Sequence, residues 1–461
     1  MTEHTVDDAL FAADPVERGI ARELFAEVRT APIISPHGHV DAAMLAEDRA
    51  FPDPTALLIT PDHYVTRLLH ADGVDLADLG VGAAVDPRAA WRLLAGRWHL
   101  FAGTASGFWF ERTLRDRFGV EDELTAASAD RVYDRIAAAL AGERFRPQAL
   151  FDEFGIAVLA TTDDPLDDLA GHARLRESGD VRGRVAPTFR PDAYLDPAAP
   201  DFASRVLRLL GGRPASFDAY LDALQERRGH FVAHGAFSAD HGVIEPYTVA
   251  MEAADAERLF QRVLSGEADA ADEREFRGHM LWQMARMSVE DGLVMTIHPG
   301  VHRDHSPAVR RRYGADAGAD IPVPVEYVRN LKPLLDDFGL RRDFHLVLFT
   351  IDETVFSREI APLAGFYPSV FIGSPWWFID APEAIARFRA ATAESAGFYR
   401  SSGFVDDTRA FLSIPVRHEM ARRADAAALA RMVVDGRIRR SRAEQIIRDL
   451  VDAVPRRAFK L

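Results

Sequence analysis

Short apolar runs alternate with longer amphipathic stretches along the chain. The runs read as buried strands: PIIS (32–35), IAVLATT (156–162), RVAPTF (184–189), HFVAHGA (230–236), GLVMTIH (292–298), FHLVLFT (344–350), SVFIGS (369–374) and GFVDD (403–407). Strands apolar on both faces belong to a parallel sheet wrapped by helices. Eight of them, separated by helical patterns, predict an α/β fold of the (β/α)8 TIM-barrel type. In such a barrel the active site sits on the loops that follow the strands' C-terminal ends. About 120 residues of helical pattern separate the first two runs, far more than a βα loop needs. The reading is one catalytic barrel domain over residues 1–461, with a helical insertion over 66–148 between strands one and two.

Composition narrows the chemistry. A chain of 461 residues with 48% hydrophobic content can bury a large core. A net charge of -16 argues against nucleic acid and anionic membranes as partners, because both require a basic face. The dense basic run Arg310-Arg311-Arg312 reads as a solvated loop. No apolar run approaches the ~20 residues that span a bilayer, and the N-terminus shows no secretory or mitochondrial pattern, so a cytoplasmic location is expected. Cysteine is absent, which excludes disulfides, thiolate nucleophiles and Cys-ligated metal. The only lysines are Lys332 and Lys460. Neither is placed for a Schiff base or a carbamylated metal bridge, whereas abundant arginine suits recognition of an acidic substrate.

The strand ends carry the polar chemistry. Strand one runs into His37-Gly38-His39; residues two apart in a strand share a face, so both imidazoles can meet one ion, and Gly38 keeps the position between them clear. A closed barrel places strand eight beside strand one. His37, His39 and Asp407 can then form a site of two imidazoles and one carboxylate with open positions. The other ends are TTDDP (161–165), FRPD (189–192), HGAFSADHG (234–242), TIHPGVHR (296–303), TIDET (350–354) and GSPWWF (373–378). Each also has a plain structural reading. TTDDP looks like a helix start, with Asp163 or Asp164 as cap and Pro165 in the first turn. FRPD can be a turn, SADHG an Asx turn, and Trp376-Trp377 core aromatics over the barrel mouth. His298 and His302 have helical metal-site spacing, but Pro299 and Gly300 break any helix between them. Asp352 and Glu353 receive no role.

Taken in order, PHGH, PDHYVTRLL, TTDDP, FRPD, HFVAHGAFSADHG, IHPGVHR, GSPWWF and DDTRAFLSIPVRHE resemble the uronate (glucuronate) isomerase family of the amidohydrolase superfamily over nearly the whole chain. The resemblance implies a distorted (β/α)8 barrel that interconverts D-glucuronate with D-fructuronate and D-galacturonate with D-tagaturonate. It implies that His37, His39 and Asp407 hold one divalent ion, with zinc the first choice and manganese the alternative. It also implies that Tyr64, Arg190, Asp240, His298, Arg303, Trp376 and Arg409 are active-site residues. Superfamily hydrolases use a lysine or glutamate after strand four for a second metal. No lysine lies near residue 235, so a mononuclear site is expected.

Aldose–ketose isomerisation opens the sugar ring, takes the C2 proton and returns a proton at C1 through a cis-enediolate. Arg190, assisted by Arg303 or Arg409, is the candidate clamp for the C6 carboxylate. Tyr64 or Asp407 would move the C2 proton, while Asp240 and His298 handle hydroxyls and ring opening. A basic Tyr64 needs its pKa lowered by nearby arginine or metal. The alternatives are a mononuclear metal-dependent hydrolase or lactonase acting on a sugar acid, and a non-catalytic sugar-acid binder. Homo-oligomerisation is expected from the size of the barrel alone.

Overall fold

The computed structural model describes residues 8–199 and 201–461. The described residues form ten strands: β1 (Ile33–Ser35), β2 (Ile156–Ala160), β3 (Arg184–Ala186), β4 (Thr188–Phe189), β5 (Ser238–His241), β6 (Val294–Ile297), β7 (Val301–His302), β8 (Ile321–Pro322), β9 (Leu346–Leu348) and β10 (Val370–Ile372). One parallel sheet runs β1-β2-β3 and another β10-β9-β6-β5-β4, while β7 and β8 pair as a separate antiparallel hairpin. Pro187, which has no N–H to donate, separates β3 from β4 and divides one strand position in two. The two sheets stay joined there, because Asp163 beyond β2 bridges to Phe189 in β4.

The side chains explain why these runs are apolar throughout. Ile34, Val158, Ala186, Val294, Val347 and Phe371 meet in a cluster inside the ring, and Phe459 joins it. Their neighbours Met295, Ile297, Leu346, Leu348, Val370 and Ile372 belong instead to the large core beneath the helices. Both faces are buried, each large side chain contributing about 1.5–3 kcal/mol relative to exposure. Between β1 and β2 the chain forms only helices and turns, the longest being Ala105–Phe118 and Ala129–Leu140.

Four expectations are corrected. The run 230–236 is not a strand: it closes the helix Phe217–Ala233, on which Phe231 is buried and Val232 exposed, and the strand lies further on at Ser238–His241. A short apolar run reads alike in both states, and here the helix that begins at the Ser216 cap continues to Ala233, and the chain turns at Gly235 (φ +92°). The first four residues of SADHG are therefore β5 itself and not an Asx turn. TTDDP starts no helix at Pro165; Asp164 and Asp167 accept from the Leu166 and Leu169 amides in successive turns, and the helix begins at Ala170. The basic run at 310–312 lies on a short surface helix, Pro307–Tyr313.

The eighth position is also irregular. Residues 403–407 form no strand; Ser401 bridges to Ile372, and the Val405 amide donates to the Ser374 hydroxyl instead of to a neighbouring carbonyl. The ring closes on β1's side through one backbone bond, from His39 N–H to Thr408 O at 3.0 Å. No described helix is long and apolar enough to cross a membrane.

Candidate active site

β1 ends at Ser35, so strand alternation does not orient His37 and His39. The backbone bond from His39 to Thr408 does, by laying the PHGH segment along the chain that carries Asp407. His37 Nε2 stands 3.4 Å and His39 Nε2 2.9 Å from Asp407 Oδ1. Asp407 itself has φ +43°, a left-handed conformation that costs an aspartate energy and is retained where the surroundings enforce it. Ligand atoms of His37, His298 and Asp407 all lie within 4.8 Å of one another. Among the described residues this is the one such cluster, and it brings in His298, which the resemblance places against substrate.

His298 is prepared by its other nitrogen. Its Nδ1 donates to Asp240 Oδ1 at 2.6 Å, which fixes the tautomer and leaves Nε2 buried without a protein partner. Burial holds its pKa below the usual value. His39 is pushed down to about 4, again by burial. Asp407 and Asp240 are held well below the carboxylate range: burial opposes their charge, but His37 and its neighbours outweigh it. Arg190 donates to Asp192 at 2.8 Å and approaches Asp240 Oδ2 at 3.3 Å, so its guanidinium is set from two sides.

Apart from Asp240, every residue predicted for the site lines one cavity of about 420 Å³. Asp240 is fully buried behind His298 and Arg190, and it reaches the cavity only through them. Arg303 pairs with Asp320 at 2.8 Å, and Arg409 with Asp316 at 2.5 Å, across the excursion that contains the β7–β8 hairpin. Trp376 is buried at the cavity wall with an unpartnered Nε1. Glu353 pairs with Arg387, and Asp352 caps Thr354, which gives both a structural place.

The arginine beside Tyr64 does not lower its pKa on balance. Its pKa is raised well above the ordinary phenol value, first by burial and then by the charge of Asp380. The nearby arginine, Arg417, is spent on Asp380 and does not outweigh them. Sequence reasoning missed both Asp380 and Arg417, although the latter stood inside the quoted IPVRHE.

These observations meet the comparison with known proteins. The family model described as glucuronate isomerase matches residues 11–459. The chain belongs to the glucuronate isomerase family. Among curated relatives, the uronate isomerase of Corynebacterium efficiens is 51% identical over 460 residues, covering 98% of each chain. The crystal structure of glucuronate isomerase from Caulobacter crescentus superposes with a TM-score of 0.96 at 46% identity, covering 98% of this chain and 96% of that one. The uronate isomerase structure from Thermotoga maritima gives 0.93 at 26% identity, with 99% of each chain covered. Membership in the glucuronate isomerase family makes the chain an aldose–ketose isomerase with the distorted barrel fold, and the hydrolase reading is set aside.

Two glycines of this glucuronate isomerase family member separate roles that look alike in sequence. A Cβ on Gly38 would meet its nearest atoms at 3.6 Å or more, an ordinary contact, so the gap between the two histidines does not demand glycine. A Cβ on Gly242 would fall 2.5 Å from Arg190 Nη2 and 2.7 Å from Asp192 Oδ2, so both side chains would have to move. Gly38→Ala should therefore keep activity within about threefold. Gly242→Ala should fold normally yet raise KM about 10- to 100-fold, because a shift of the order of 1 Å in a positioning group is costly. Steady-state kinetics and melting temperatures of the two variants check this.

Proposed function

We propose that this protein interconverts D-glucuronate with D-fructuronate and D-galacturonate with D-tagaturonate, using one divalent ion held by His37, His39, His298 and Asp407. The observation that carries the reading is the convergence, in one cavity, of an imidazole–carboxylate cluster with a partly buried arginine fixed by two aspartates. The donor set suits zinc first and manganese second. The buried His298 Nε2, which lacks a hydrogen-bond partner, and Asp407 Oδ1, which His37 and His39 both face, fit such an ion.

When bound, the ion supplies positive charge against the oxygen charge that develops as the C2 proton leaves. The remaining work belongs to the chain. Arg190 takes the C6 carboxylate and sets the sugar's direction, with Arg303 and Arg409 at the mouth. His298, oriented by Asp240, would offer its Nε2 to the ion, and Trp376 excludes water from that side. Tyr64 meets C2 as a neutral phenol.

Incubation with each uronate, followed by NMR, should show the ketose accumulate with no change in mass. Prior treatment with a chelator should lower the rate about 100-fold or more, and added zinc or manganese should restore it. If neither uronate gives a ketose, the reading fails.

A further inference from the structure

A buried ion pair, Asp380 with Arg417, adjoins the cavity beside Tyr64, and no role predicted from sequence uses it. The Tyr64 hydroxyl donates to Asp380 Oδ1 at 2.5 Å and accepts from the Phe378 amide at 2.8 Å. Asp380 Oδ2 accepts from Arg417 Nη1 at 2.9 Å. The Arg417 guanidinium lies over the Trp109 ring at 3.7 Å and donates through Nε to the Ser413 hydroxyl at 3.0 Å. Asp380, Arg417 and Trp109 are each at most 5% exposed, yet Asp380 and Arg417 border the same cavity as Tyr64 and Asp407. A carboxylate is costly to bury merely to anchor one tyrosine. The arrangement also answers a chemical difficulty: a neutral phenol is a poor base unless its own proton has somewhere to go.

We propose that Tyr64 and Asp380 act as one proton relay, with Arg417 on Trp109 as the positioning residue that holds Asp380 in line. The inference rests on the isomerase reading above. As the C2–H bond breaks, its electron pair forms the C1–C2 double bond of the enediolate and the carbonyl π pair moves onto oxygen. The proton bonds to the Tyr64 oxygen while the proton already on Tyr64 passes to Asp380 Oδ1. The same two transfers run in reverse to deliver a proton to C1, and the O2 hydroxyl proton passes to O1 as C2 becomes the carbonyl, so the cycle consumes none. The Phe378 amide occupies one lone pair of the Tyr64 oxygen and leaves the other for substrate. Burial also raises the Asp380 pKa, against the opposing effects of Arg417 and of Tyr64's own hydrogen bond.

Asp380→Asn keeps an oxygen that accepts from Tyr64 but cannot take its proton. Its kcat should fall about 100-fold, the lower end of what a positioned acid–base group contributes. KM should stay within about threefold, and metal content should be unchanged. C2–deuterium exchange in D2O should slow by the same factor as kcat. Tyr64→Phe should show a comparable loss, and the double variant should be no worse than the more damaged single one, because the two groups share one proton path. Asp380→Glu should recover part of the rate. If Asp380→Asn does not fold, Asp380→Asn with Arg417→Gln removes both charges and is read by the same criteria. A kcat within threefold of wild type, or losses that multiply in the double variant, would overturn the relay. A wild-type enzyme that makes no ketose in the same assay would overturn the isomerase reading itself.

Discussion

Asp407→Asn is expected to lower kcat/KM by about 10⁴-fold, equivalent to about 5 kcal/mol of transition-state stabilisation. The substitution changes shape very little. It removes the one carboxylate in the cluster with His37 and His298, and with it the negative charge that His37 and His39 face at 3.4 and 2.9 Å. Metal content measured on the purified variant should drop to about a tenth or less of the wild-type value, because hard-cation and imidazole sites of this kind depend on a charged oxygen donor. The melting temperature without added metal should change little by comparison. If the variant retains a full equivalent of metal, Asp407 is not a ligand and the cluster needs another explanation.

Arg190→Met should lower kcat/KM for uronates by about 10³-fold, within the range for losing one partner of a buried, hydrogen-bonded charge pair. Most of the loss should appear in KM, since a carboxylate clamp holds ground state and transition state alike. Asp240 keeps its hydrogen bonds from His298 and Thr296, so the fold should survive the loss of the arginine. The decisive comparison is a pair of substrates: the advantage of a uronate over the corresponding neutral aldose should shrink by the same factor. If that ratio is unchanged, the carboxylate binds elsewhere in the cavity, and Arg303 or Arg409 at its mouth becomes the clamp.

Much of the barrel could be read from the sequence because a parallel strand is apolar on both faces, and such runs stand out. The reading failed where that signal was ambiguous or missing. HFVA ends a helix that borders a strand, and four apolar residues do not distinguish the two. At 403–407 the serine hydroxyls of Ser374 and Ser402 take over part of the ladder, and no pattern of hydrophobicity reveals that. His37, His39 and Asp407 could be proposed together because each stands at the end of a strand-like run, whereas the other site residues were implied only by the family resemblance. The Tyr64 environment was not legible: Tyr64 and Asp380 are 316 positions apart, and Arg417 acquires its role from Trp109, which lies on a helix between β1 and β2. Spacing could suggest that Tyr64 has an arginine nearby. It could not show that a carboxylate stands between them and reverses the effect on the phenol.

The closure of the ring has a consequence for stability as well as for chemistry. The barrel is joined least regularly where 401–408 meets β10 and β1, and the two sides of that seam carry Asp407 and the histidine pair. Brief opening of the seam, the sort of local unfolding that hydrogen exchange detects, would draw Asp407 away from His37 and His39. Whatever binds between them favours the closed ring by mass action and must wait for the ring to open before it can leave. Retention of the ion and rigidity of the seam are therefore two readouts of one equilibrium.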